Sequence, residues 1–169
     1  MWLYRGQKRP AFAIRPGLGQ ESVWDYPRPP VIVPDSRLVE VRAGGLLIAS
    51  TTRAHRILET ASPPTFYLPR GDVDLEQLVP SAGRSICEWK GEAAYWAIRS
   101  QATMPVGWTY EHPCERFQAI AGALSFHPGR VECRVAGERV LPQPGGFYGG
   151  WVTDDVVGPF KGEVGTGHW

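Results

Sequence analysis

The sequence predicts a mainly β fold. Two observations carry this reading: 20 glycines and 16 prolines punctuate a chain of 169 residues, and the short apolar runs between them recur about every 8 to 12 residues, the rhythm of sandwiches and barrels. A chain of this length suits one domain that buries roughly two thirds of the surface its unfolded form exposes.

The elements follow in order. Residues 1–20 form a basic arm: Arg5, Lys8, Arg9 and Arg15 stand there without an acid, in a chain whose net charge is only +1. Clustered cations attract phosphates over long range. Four dispersed cations interrupted by prolines fit better an arm laid across its own domain through Trp2, Leu3, Phe12 and Ile14, so nucleic acid is not the expected partner. Arg37 to Arg42 reads as a strand rich in β-branched residues, Gly44-Gly45 as a turn, and Leu46 to Ala49 as the antiparallel return.

Ala54, Ile57, Leu58 and Ala61 then recur at i, i+3, i+4 and i+7, the apolar stripe of one short helix. Ser50, Thr51 or Thr52 would be its N-cap and Pro63-Pro64 its stop. Arg53, His55, Arg56 and Glu59 occupy the opposite face. Glu59 falls in the last turn, where a negative charge opposes the helix dipole, and Lys90 is its expected partner.

Thr65 to Leu68 is a short strand and Arg70-Gly71-Asp72 a turn; Val73 to Val79 fits either a strand or a helical turn. Ser85 to Trp89 and Ala93 to Arg99 form a second hairpin about Lys90-Gly91. Alternation places Tyr95 and Ala97 on one face of the returning strand and Ala94, Trp96 and Ile98 on the other. Trp108 to Tyr110 is one more strand. Ile120 to Phe126 reads as the first arm of a third hairpin that turns at His127-Pro128-Gly129 into Val131 to Val135. From Pro142 the glycine content rises, and Phe147, Tyr148, Trp151, Phe160 and Trp169 predict an extension over 142–169 that wraps the domain.

Cys87, Cys114 and Cys133 are odd in number and form no C-x-x-C pair, which argues against a disulfide framework and a structural zinc site and fits a reducing cytoplasm. No apolar run approaches the roughly 20 residues of a membrane span, and the N-terminus lacks the apolar core of a secretion signal.

Val23-Trp24-Asp25-Tyr26-Pro27-Arg28-Pro29-Pro30, the Thr51 to Thr60 segment, Tyr67, Cys87-Glu88-Trp89-Lys90-Gly91 with Tyr95-Trp96, and Trp108-Thr109-Tyr110 together resemble the DUF427 family, a domain of unknown function, across most of residues 21–141. The PQPGGFYGGW and GPFKGE strings look like its cyanobacterial members. The resemblance implies a β-tent: two antiparallel sheets packed at a steep angle around a cavity, as in the drug-binding domain of cereblon and in methionine-R-sulfoxide reductases. Those relatives hold zinc in paired C-x-x-C knuckles. The knuckles are absent here, so neither metal nor reductase chemistry is carried over, and no cofactor is expected.

The candidate site is an aromatic cleft between the sheets, walled by Tyr67, Trp89, Tyr95, Trp96, Trp108 and Tyr110, with Lys90 and Glu59 as the polar pair that orients a small nucleoside-like or cyclic ligand. The same rings would also serve as a solid core. Catalytic residues are not assignable. Cys87 reads as a small buried hydrophobe or, beside Lys90 and with His55, His112 or His127 as base, as a nucleophile. Asp72-Val73-Asp74 matches the paired carboxylates of magnesium-dependent nucleotidyl transfer, without the glycine-serine loop that precedes them in such enzymes. A third possibility is a non-catalytic interaction module using Tyr26 to Pro34 and the C-terminal extension. A monomer or homodimer fits each reading.

Overall fold

The computed structural model describes residues 2–169. β1 (Glu21–Ser22) runs into a 3-10 turn over Val23–Asp25 that is capped by Ser22, whose hydroxyl accepts from the Trp24 amide at 3.3 Å. β2 (Val31–Asp35) follows. β3 (Val39–Ala43) and β4 (Leu46–Thr51) form the expected hairpin about Gly44 and Gly45, whose φ angles of +55° and +81° suit only glycine comfortably.

β5 (Ala54–Leu58) lies between β2 and β6 (Thr65–Tyr67), antiparallel to both. β7 (Leu78–Cys87), β8 (Gly91–Ile98) and β9 (Gln101–Thr109) make a meander whose first turn is the expected one at Lys90-Gly91. β10 (Leu124–Phe126) adds to β9, giving a sheet ordered β10-β9-β8-β7. β11 (Glu132–Val135) pairs with β3 and with β12 (Glu138–Arg139), giving a second sheet ordered β12-β11-β3-β4. β13 (Leu141–Pro142) pairs with β14 (Trp151–Val152), and β15 (Val156–Val157) runs parallel to β1.

The predominance of antiparallel strands agrees with the sequence, but two elements differ from expectation. The helix predicted over Ala54 to Ala61 is strand β5 and the turn after it. Its apolar residues do not share a face: Ala54 enters the core between the two four-stranded sheets, Ile57 a second cluster around Tyr67 and Trp108, and Leu58 and Ala61 a third around Trp24. Arg56 is held across strands by Glu21 at 3.0 Å and Asp35 at 3.2 Å. A strand sandwiched between two neighbours can serve three clusters; one amphipathic helix cannot.

The third hairpin is absent as well. β10 and β11 belong to different sheets, and the His127 loop carries the chain from one to the other. Leu124, Phe126, Val131, Cys133 and Val135 still meet, because both sheets face one core. An apolar pattern reports burial, and facing sheets bury the same residues that a hairpin would.

The N-terminal segment lies against the third cluster. Tyr4 and Phe12 pack edge-on to Trp24 at 5.2 and 5.1 Å, and Phe12 stacks on Trp169 at 5.2 Å. Leu3 and Ile14 remain exposed, so they are not the anchors expected. At the other end Trp151 is fully buried, stacks on Phe66 at 4.9 Å, and donates its indole N–H to the Phe126 carbonyl at 2.9 Å. Among the described residues no helix is long and apolar enough to cross a membrane.

Candidate functional site

Strand alternation assembles the site. Ser85 and Cys87 of β7, Ala93 and Tyr95 of β8, and Trp108 with Tyr110 at the end of β9 are each two residues apart, so each pair faces the same way. Register aligns them: Ser85 is opposite Ala93, and Tyr95 is opposite Trp108. Across from them stand Ile57 and Glu59 from β5 and the residue after it, and Thr65 and Tyr67 of β6. Between these two walls lies a cleft of about 370 Å³, within the range of small-molecule sites.

The C-terminal extension supplies a third wall through Gln143 and Phe147 to Gly150. Gln143 fixes it, donating to the Lys161 carbonyl at 2.7 Å and accepting from the Gly150 amide at 3.0 Å. Glycine is required at 149 and 150 by space: a Cβ there would come within 2.2 Å of the Trp108 ring and 2.3 Å of Gln143 Oε1, respectively. The extension therefore lies flush against the aromatic wall.

Of the eight residues expected to form the site, Glu59, Tyr67, Lys90, Tyr95, Trp108 and Tyr110 line this cleft, and Trp89 and Trp96 do not. Trp96 points to the opposite face of β8 and packs, half-buried, against the core between the four-stranded sheets, as alternation with Tyr95 demands. Trp89 packs on the outside of the aromatic cluster and donates to Glu59 at 3.3 Å. Reasoning from the sequence did not place Ile57, Ser85, Ala93, Gln143 or His127, the last named only as a possible base, on this cleft. The first three were accessible from period-two alternation; the other two depend on how distant segments cross.

Several polar groups line the cleft. Tyr67 is almost fully buried, and its hydroxyl accepts from Trp108 Nε1 at 3.1 Å. Burial raises its pKa above the ordinary phenol value, although the neighbouring Lys90 pulls the other way. The Lys90 ammonium lies 5.6 Å from the centre of the Tyr110 ring. Burial disfavours its charge, but Tyr67, Cys87 and Glu59 together outweigh burial and hold its pKa above the usual lysine value. It is a cation at neutral pH.

Glu59 is not the ion-pair partner of Lys90. Its Oε1 binds Arg28 Nε at 3.1 Å, and Arg28 is itself buried, donating also to the carbonyls of Tyr4 at 3.1 Å, Thr60 at 2.7 Å and Trp169 at 2.9 Å. The helix-dipole argument for Lys90 lapses with the helix. Among the described residues Lys90 forms no ion pair within 4 Å.

His127 packs on Trp108 with ring centres 5.1 Å apart; burial, helped by Arg130, lowers its pKa to about 4, so it is neutral near pH 7. Asp72 and Asp74 lie elsewhere. Asp72 accepts from the Thr51 hydroxyl at 2.6 Å and from Arg53 at 2.9 Å, and Asp74 caps the next turn by accepting from the Glu76 amide at 3.1 Å. Both carboxylates have local structural partners, and among the described residues no three His, Cys, Asp or Glu side chains group as metal ligands.

Among curated proteins none is similar enough to match. The model of a family described as a domain of unknown function, DUF427, matches residues 31–137, well over half of the chain and most of the cleft's two sheet walls. The chain belongs to the DUF427 family.

Proposed function

We propose that the cleft binds a small flat ligand, nucleoside-like or cyclic, between the aromatic wall of β8 and β9 and the wall of β5 and β6. The single observation that supports this most is a cavity of about 370 Å³ in which a lysine without a carboxylate partner faces buried phenols and an indole. Lys90 offers a cation to a ligand carbonyl or anion, Glu59 and Gln143 add acceptors, and Trp108, Tyr110 and Tyr148 offer flat apolar surfaces. In this reading residues 21–141 are the domain, drawn as a β-tent, and 142–169 close one side of its cleft. Three free cysteines favour a cytoplasmic setting.

A thermal-shift screen of nucleosides, nucleotides and cyclic imides tests the proposal. It expects at least one ligand whose stabilisation disappears in Lys90→Ala and in Trp108→Ala. A library without a single stabilising compound would remove the reading.

A second reading, an interaction module, draws on Ile86 and Phe147, 74% and 78% exposed at the cleft rim. Of the two segments expected to form such a surface, only the extension remains available, because Tyr26 and Arg28 are buried and Val31 to Pro34 lie within β2. A pull-down that loses a partner when residues 142–169 are deleted would favour it.

A further inference from the structure

A thiol lines the cleft. Cys87 closes β7 and pairs with Gly91, and the turn of Glu88, Trp89 and Lys90 between them returns the lysine to the same cavity that Cys87 and Tyr110 line. Gly91 has φ +104°, a conformation other residues rarely adopt, so this tight return is built into the backbone.

The other two cysteines occupy different surroundings. Cys133 is fully buried in the core, where burial pushes its thiol pKa up. Cys114 is exposed and outside the cleft, its amide bonded to the Lys90 carbonyl at 3.0 Å. Only Cys87 combines access from a cavity with an adjacent cation that has no carboxylate of its own.

We propose that Cys87 is a nucleophile of this cleft and that the site captures planar conjugated electrophiles, enones and unsaturated cyclic imides, with Lys90 stabilising the oxyanion. The proposal rests on the ligand-cleft reading and adds to it the class of ligand. The sulfur forms a bond to the β-carbon of the electrophile while the carbon–carbon π pair moves onto the carbonyl oxygen, giving an enolate beside the ammonium. The proton released by the thiol to water returns to the α-carbon. The net change is addition of S–H across a double bond, with no oxidant or reductant. Flat aromatic walls at Trp108 and Tyr110 suit the planarity of such ligands.

N-ethylmaleimide, a cyclic imide with a conjugated double bond, tests this on the whole protein, with peptide mass spectrometry following each cysteine separately. Cys87 is expected to react at least about 10-fold faster than Cys114. Its rate should saturate with maleimide concentration, while that of Cys114 rises linearly. Lys90→Gln should lower the limiting rate at Cys87 several-fold without altering Cys114, and Lys90→Arg should retain most of it. Labelling of Cys133 would reveal an unfolded variant, in which case the wild-type ratio of Cys87 to Cys114 decides alone. Equal rates at the two, or indifference of Cys87 to Lys90→Gln in a folded protein, overturns the proposal. Saturation without acceleration would sink the nucleophile and spare the binding cleft, whereas acceleration without saturation would do the reverse.

Discussion

Gly149 lies directly on the ring of Trp108: a Cβ at this position would come within 2.2 Å of an indole carbon, with two further ring atoms at 2.8 and 3.2 Å. Trp108 is buried and tethered to Tyr67, so the ring has little room to yield. Gly149→Ala should therefore lift the extension off the cleft. The expected cost is about 1–3 kcal/mol, read as a lower Tm together with faster proteolysis within residues 142–150. Gly167→Ala, where a Cβ meets nothing within 4 Å, is the control.

The Tyr67 hydroxyl holds Trp108 in place from the opposite wall. Tyr67→Phe leaves the indole N–H without its acceptor in a buried site, which should destabilise by about 1–3 kcal/mol. Chemical denaturation would show a lower midpoint with an unchanged slope. No change at all would mean that another acceptor takes over the N–H.

His127 makes the fold sensitive to acid. Its pKa falls from 6.5 to about 4 on folding, so between these values the unfolded chain holds a proton that the folded one does not. Stability from this group is intact above about pH 6.5 and is lost progressively as the pH falls toward about 4. In Tm measurements from pH 7.5 to 4.5, the wild type should fall more steeply than His127→Gln. Parallel curves would show that His127 does not contribute to the slope.

How much of this was legible in the sequence follows from what local pattern encodes. Hairpins announced by turn glycines, at Gly44-Gly45 and at Lys90-Gly91, are local devices, and the chain displays them openly. The Ala54 to Ala61 stripe misled because Ala54, Ile57, Leu58 and Ala61 are all buried, each for a separate reason, and burial at i, i+3 and i+4 mimics a helix. The identity of the sheet that each strand joins is a long-range property. Nothing near His127 says that β10 and β11 part company. The cleft was legible wherever alternation was applied consistently: Tyr95 and Trp96 are neighbours on one strand and so cannot both line one cavity.

Arg28 ties the N-terminal segment, the turn after β5 and Trp169 to one guanidinium, and Trp2 covers it with its ring centre 4.2 Å away. Removing it as Arg28→Met leaves the Glu59 carboxylate with Trp89 as its remaining donor and takes the guanidinium from three backbone oxygens, a loss on the order of 3 kcal/mol. Arg28→Lys should rescue little, because an ammonium cannot span acceptors arranged for a planar fork. Equilibrium unfolding of the two variants checks this; near-wild-type stability in the lysine variant would mean that charge alone, and not the fork, is what the site needs.

In the proposed ligand reading, Trp96 and Trp108 separate packing from recognition. Both are large indoles on adjacent strands, but Trp108 faces the cleft and Trp96 the core between sheets, its ring 5.4 Å from the Arg70 guanidinium. Truncating a fully buried indole costs about 3–5 kcal/mol and Trp96 is half-buried, so Trp96→Ala should lower Tm by somewhat less than that cost implies and leave the ligand-induced shift in place wherever the protein is folded. Trp108→Ala removes the wall itself and should abolish that shift even below its own Tm, as read by calorimetric titration at low temperature. The opposite result, a binding defect confined to Trp96→Ala, would move the site to the other face of β8.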